Sequence, residues 1–167
     1  MDIKFKVRWS PTVKSITAFI TILVIICEAV LIIEGAVKNW ILALTALLIA
    51  VCAIYFMMMA PTSIVLTNRQ VILQKLIGKI AINYDDIRSI QSCPFSHSEN
   101  RRLLGSGGYC GYTGVFYHKN VGQYHSFIGD KNQAFLIETK SGKKYLFSCN
   151  DYQKVIELVS ERIMQNQ

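Results

Sequence analysis

The alternation of apolar and polar positions divides the chain into two unlike parts. From Trp40 through Ala60 there are 21 residues without a charge, and as a helix rising about 1.5 Å per residue they reach about 30 Å, the hydrocarbon thickness of a bilayer. Residues 15–33 form a second apolar stretch, interrupted by Glu28. The link at 34–39 is short, so the two stretches are expected to pair as a transmembrane helical hairpin with both outer ends on one side. A cleaved signal peptide fits residues 1–33 poorly, because the apolar run is long and Cys27-Glu28-Ala29 is a poor small-residue cleavage site. A soluble helix pair fits poorly too, because the stretch from Trp40 to Ala60 is apolar on every face instead of along one stripe.

After Pro61 the pattern shifts to short β-type runs. Short runs at 63–67, 71–77, 79–84 and 87–93 are separated by Asn68-Arg69, Gly78 and Asp85-Asp86, and they predict closely spaced antiparallel strands. Runs at 123–128, 134–140 and 143–149 repeat the pattern, with Ser141-Gly142 as a hairpin turn. The last segment is helical: Asn150 is a candidate cap, and Tyr152, Val155, Ile156, Val159 and Ile163 recur at spacings of three and four. The expected fold is a transmembrane helical hairpin followed by a mainly β, bent antiparallel seven-stranded barrel, with the C-terminal helix capping one end. The expected organisation is a basic N-terminus at 1–14, the hairpin at 15–60 and one small domain at 61–167.

Composition sharpens this division. Of the residues A, V, I, L, M, F, W, Y and C, 43 fall in the first 60 positions and 43 in the remaining 107, so the apolar excess belongs to the anchor. Lys4, Lys6, Arg8 and Lys14 precede the first span, and Arg69, Lys75 and Lys79 follow the second before any acid, which puts both outer ends in the cytoplasm. The region from residue 61 has 13 basic and 8 acidic side chains, a balance that suits an anionic inner leaflet. Tied to a membrane anchor, that charge speaks for lipid and against nucleic acid.

The unusual segment is 101–117. Six of the ten glycines lie between Gly105 and Gly122, and Gly105, Gly107, Gly108, Gly111 and Gly114 interleave with Tyr109, Tyr112, Phe116 and Tyr117. Glycine permits close backbone approach, and aromatic rings need something to pack on or bind. The segment is therefore both a structural device folding over a barrel end or the headgroup layer and a candidate interaction loop for a protein partner or a second copy. It matches no phosphate-cradling or dinucleotide motif. Arg101 and Arg102 before it, Lys119 after it, and Lys143 and Lys144 at the last hairpin are candidate anion contacts.

Catalysis and metal binding find little support. His97, His118 and His125 and Cys93, Cys110 and Cys149 have neither C-x-x-C nor H-x-x-x-H spacing. No catalytic residue, metal, cofactor or small-molecule substrate is expected; an enzyme would need a histidine beside Asp130 or Glu138 in one cleft. Glu28 reads as a residue near the outer interface in preference to a proton or ion relay.

The segments Pro61-Thr62-Ser63-Ile64, Leu104-Gly105-Ser106-Gly107-Gly108-Tyr109, Gly111-Tyr112-Thr113-Gly114, Phe135-Leu136-Ile137-Glu138-Thr139 and Gly142-Lys143-Lys144-Tyr145 resemble the bacterial pleckstrin-homology-like domain proteins over about residues 61–165. The resemblance implies the pleckstrin homology fold, a seven-stranded bent barrel capped by a helix, in a bacterial inner-membrane protein. It implies no catalytic residues. The expected role is a membrane-anchored binding or interaction module that contacts a protein partner or the anionic leaflet. The alternative is an accessory or regulatory subunit of a transport or secretion complex acting through its helices.

Overall fold

The computed structural model describes residues 2–33, 39–93 and 100–165. The link at 34–38 and His97 lie outside the described residues. Two long apolar helices, α1 (Pro11–Ile33) and α2 (Trp40–Met58), pack against each other. Their most apolar windows are 0% buried within the protein, whereas the core helix of a soluble domain would be largely covered. Both are long and apolar enough to cross a membrane.

The helices follow the apolar runs closely, α1 beginning before its run and α2 ending two residues inside its own. Pro11 opens α1 four residues early, where its missing N–H costs nothing in a first turn. The Ser10 hydroxyl accepts from the Val13 amide at 3.3 Å. Asn39 caps α2, its side-chain oxygen accepting from Ile41 N at 3.0 Å.

Two sheets follow. The first has the order β1 (Ile3–Lys6), β2 (Pro61–Leu66), β3 (Gln70–Lys75) and β4 (Lys79–Asn83), all antiparallel. Its rows are Phe5, Ile64, Leu73 and Ile80, then Ile3, Leu66, Val71 and Ile82. Alternation alone turns these side chains to one face. After the turn at Tyr84–Asp86 come β5 (Ile87–Ser92), β6 (Arg101–Gly108), β7 (Gly111–His118), β8 (Gly122–Ile128), β9 (Ala134–Thr139) and β10 (Lys144–Ser148). They form a six-stranded sheet in the order β5-β9-β10-β8-β7-β6. The core lies between the sheets, where Phe127, Phe135, Ile137 and Phe147 meet Ile64, Leu66, Val71 and Leu73. Helix α3 (Tyr152–Gln165) adds Val155 and Val159 to it.

The expected barrel is not found. Among the described residues no ladder joins the two sheets: the chain passes from β4 to β5 through the turn at Tyr84–Asp86, which moves it to the other sheet. The described residues form ten strands, not seven. All seven expected runs form strands, but the N-terminal segment adds β1 and the glycine-rich segment adds β6 and β7. Nor is the pairing wholly antiparallel, because β10 folds back between β9 and β8 and runs parallel to β8. The C-terminal helix does cover the core, though it closes a two-sheet stack instead of a barrel end.

Helix α3 is tied down by a polar clasp. Arg162 Nη1 donates to the carbonyl of Thr67 and, at 2.7 Å, to the Tyr84 hydroxyl, which itself donates to Thr67 O at 2.9 Å. Burial pushes the Tyr84 phenol up from its ordinary range, and the neighbouring Arg162 opposes that shift in part.

Candidate functional site

The glycine-aromatic segment is a β-hairpin at the edge of the six-stranded sheet, not a loop. Gly105 pairs with Gly114, and their backbones approach so closely that neither position admits a side chain. A Cβ at Gly105 would lie 2.1 Å from Thr113 O, and one at Gly114 2.2 Å from Leu104 O. Both residues have positive φ, +124° and +128°, a region open to glycine alone. Next to them the register shifts between Arg102 and Leu104, so the edge strand is bulged and turned.

The tip of this hairpin docks on the membrane helices. Tyr109 and Cys110 are buried with Ala60, against Trp9, Ile20 and Phe56. Thr17 on α1 accepts from Cys110 N at 2.9 Å. Its hydroxyl donates to Val13 O at 2.7 Å and lies 3.5 Å from Gly108 O. Cys110 has φ of +56°, unusual for a residue with a side chain. Burial raises the pKa of its thiol, partly offset by hydrogen bonds from Tyr109 and Thr17.

The expected interaction residues thus have different fates. Tyr109 is 8% exposed and Phe116 also 8%. Phe116 stacks on Tyr124, with ring centroids 6.0 Å apart, and Tyr112 carries Lys131 Nζ 4.1 Å from its ring centroid. Tyr117, at 42% exposure, is the outward-facing aromatic of the hairpin.

The candidate anion contacts separate into two places. Arg101 pairs with Tyr117, Lys144 Nζ donates to Val121 O at 2.7 Å, and Lys119 and Lys143 extend from the adjoining turns. These four share the end of the sheet opposite the hairpin tip. Arg102 stands apart from them. It borders a cavity of about 530 Å3 between the helix pair and β6. It also borders one of about 250 Å3 that holds Lys131, Tyr112, Phe116 and Tyr124.

A second membrane-proximal feature is the β3–β4 turn. Leu76 N donates to Ala60 O at 2.9 Å and Ile77 N to Met58 O at 3.1 Å, fastening the turn to the end of α2. Leu76 and Ile77 are 55% and 57% exposed, and Leu103 and Leu104 on β6 are 58% and 73% exposed. Lys75 and Lys79 flank the first pair, and Arg101 and Arg102 precede the second.

No hydrolytic constellation forms among the described residues. His125 lies in one row with Val115 and Tyr145, stacking on the latter at 5.5 Å. His118 and Glu138 fall on the opposite face by alternation. Asp130 Oδ1 accepts from Asn132 N at 3.0 Å, and Glu138 lies 3.9 Å from Arg88. Burial pushes the Cys149 thiol up to about 12, far from a nucleophile's range. Among the described residues no group of three His, Cys, Asp or Glu is placed to hold a metal ion.

A family model described as "Bacterial PH domain" matches residues 62–163. The chain belongs to this family. The match covers β2 from its second residue, every later strand and most of α3. No curated protein and no solved structure matches.

Three features of this region were not legible in the sequence. Thr17 was hidden within an apolar run, and Leu76-Ile77 looked like the end of a strand. Lys131 was one cation among many. A signal for β1 was present in the alternation Ile3-Lys4-Phe5-Lys6, but four residues also read as a basic flank.

Proposed function

We propose that this bacterial PH domain protein is a membrane-anchored binding module whose domain rests on the anionic cytoplasmic leaflet beside its own helices. One observation carries the reading. Outside α1 and α2, the large aliphatic side chains exposed among the described residues are Leu76, Ile77, Leu103, Leu104 and, on α3, Met164. Four of these five occur as pairs flanked by cations, on a turn bonded to α2 and on a strand facing both helices. Aliphatic tips with neighbouring lysine or arginine suit a headgroup boundary, where the tips enter hydrocarbon and the cations meet phosphate. The acids favour this orientation. Asp85 and Asp86 lie in the turn packed against α3, which carries Glu157 and Glu161, and α3 packs on β5 at the edge of the sheet away from β6. Tyr117 would remain available to a protein partner or a second copy.

The test is depth-dependent quenching in anionic vesicles containing the full chain. A fluorescent residue replacing Ile77 or Leu104 is expected to be quenched by lipids spin-labelled on the upper acyl chain, and one replacing Lys154 on α3 is not. Equal, weak quenching at all three positions would rule the reading out.

A second reading, an accessory subunit acting through its helices, draws on Glu28. One of its carboxylate oxygens is enclosed in α1 with no hydrogen-bond partner, and a polar group from another chain would relieve that cost. Co-purification of a membrane partner that disappears with Glu28→Leu would favour it.

A further inference from the structure

We propose that the wedge between the helix pair and β6 binds one anionic phospholipid, with an acyl chain in the wedge and the phosphate on Arg102. The site rests on the leaflet reading above and narrows it from a surface to a single ligand.

The wedge exists because β6 is an edge strand with little side-chain volume facing the helices. Gly105 and Gly107 leave bare backbone on one wall, and Ile20, Val24, Leu48 and Cys52 form the other. Its volume of about 530 Å3 lies within the range of about 300–1,000 Å3 typical of ligand sites. Those helix residues belong to the spans, where water has no access and a lipid chain is the available filling.

Charge selects the headgroup. Arg102 folds back over Gly107, where a Cβ would come within 2.6 Å of its Nη1. The absence of a side chain at 107 therefore gives the guanidinium its place at the mouth of the wedge. Beyond it the second cavity, of about 250 Å3, holds Lys131 and the Tyr112 ring. A phosphodiester suits the fork of a guanidinium, and basic pockets beside transmembrane helices suit anionic lipid headgroups. A soluble phosphate would leave the wedge unfilled, and a neutral lipid would leave Arg102 without a counter-charge.

The experiment is native mass spectrometry of the full chain in mild detergent, incubated with phosphatidylglycerol or phosphatidylcholine. The wild type is expected to retain one phosphatidylglycerol in preference to phosphatidylcholine, with excess inorganic phosphate failing to displace it. Arg102→Ala should reduce retention by about tenfold or more, the loss of one charged pairing. Leu48→Trp, which narrows the wedge from a lipid-exposed helix position, should reduce it without touching the charge. Lys143→Ala should leave it unchanged. Wild-type circular dichroism and elution exclude misfolding as the cause. Equal retention of the two lipids, displacement by inorganic phosphate, or retention undiminished by both Arg102→Ala and Leu48→Trp overturns the site. A quenched probe at Ile77 with no lipid retained overturns the site and leaves the leaflet reading standing; an unquenched probe with lipid retained does the reverse.

Discussion

Two hairpins of the six-stranded sheet, β9–β10 and β6–β7, are built on opposite plans. In β9–β10, Phe135, Leu136, Ile137, Leu146 and Phe147 are all buried, so each strand contributes side-chain area to one or both faces. Phe135 and Phe147 meet edge to face with centroids 6.1 Å apart. In β6–β7 the corresponding centre is Gly105 against Gly114, with backbone on backbone and no side chain between. The first hairpin is held by what it buries within the domain. The second gains little from its own side chains at that point, and its tip is held by α1 and α2 through Thr17, Trp9, Ile20 and Phe56. One sheet is thus anchored at its centre by the hydrophobic effect and at its edge by the membrane helices.

This contrast orders three expected outcomes. The largest is for Phe147→Ala, a fully buried ring in the central hairpin, which should cost about 3–5 kcal/mol. Thermal unfolding of the domain in detergent should fall steeply, with amide exchange accelerating throughout. The next is Gly105→Val. The strained backbone alone should cost about 1–3 kcal/mol, with the contact to Thr113 O added, but the damage should be local. Exchange should rise across residues 101–117 and stay slow at 134–139; uniform acceleration would erase the distinction between the hairpins. The smallest is Thr17→Val, which leaves the Cys110 amide without its acceptor at a cost of about 1–2 kcal/mol. Exchange should then rise at Cys110 and Gly111 while the unfolding midpoint of the core hardly moves. A large drop in that midpoint would mean that the helices support the whole domain and not its edge alone.

Much of the fold was readable along the chain because burial leaves a periodic trace. Trp40 to Met58 is apolar on every face, as lipid requires, and Val155 and Val159 recur at helical spacing because one side of α3 faces the core. The seven expected strands are present for a related reason: short apolar runs such as Val71-Ile72-Leu73 and Ile80-Ala81-Ile82 are bounded by turn residues at Asn68-Arg69, Gly78 and Asp85-Asp86. The two strands missed in the glycine run have no such trace. Periodicity detects buried side chains, and the centre of β6–β7 buries backbone. The glycine-aromatic run could be singled out by composition, but not that Tyr109 turns inward to the helices while Tyr117 turns out.

The division of the anion contacts has the same origin. Arg101 and Arg102 are neighbours in sequence, yet strand alternation sends them to different surroundings. Arg102 borders the cavity that holds Lys131, 29 positions away, and nothing local connects those two residues.

What the sequence determined by itself is the surroundings of each segment: lipid for two helices, short apolar runs between turns for the seven expected strands, a core-facing stripe for α3. These are properties of consecutive residues, written in hydrophobic period and length. Only the tertiary structure decided the partition into two open sheets, the parallel pairing of β8 with β10, and the docking of the glycine hairpin on α1 and α2. Each of these depends on which surfaces meet across long stretches of chain. That choice is made by shape, by the room that glycine leaves, and by polar groups such as Thr17 that acquire a role only once their distant partner has arrived.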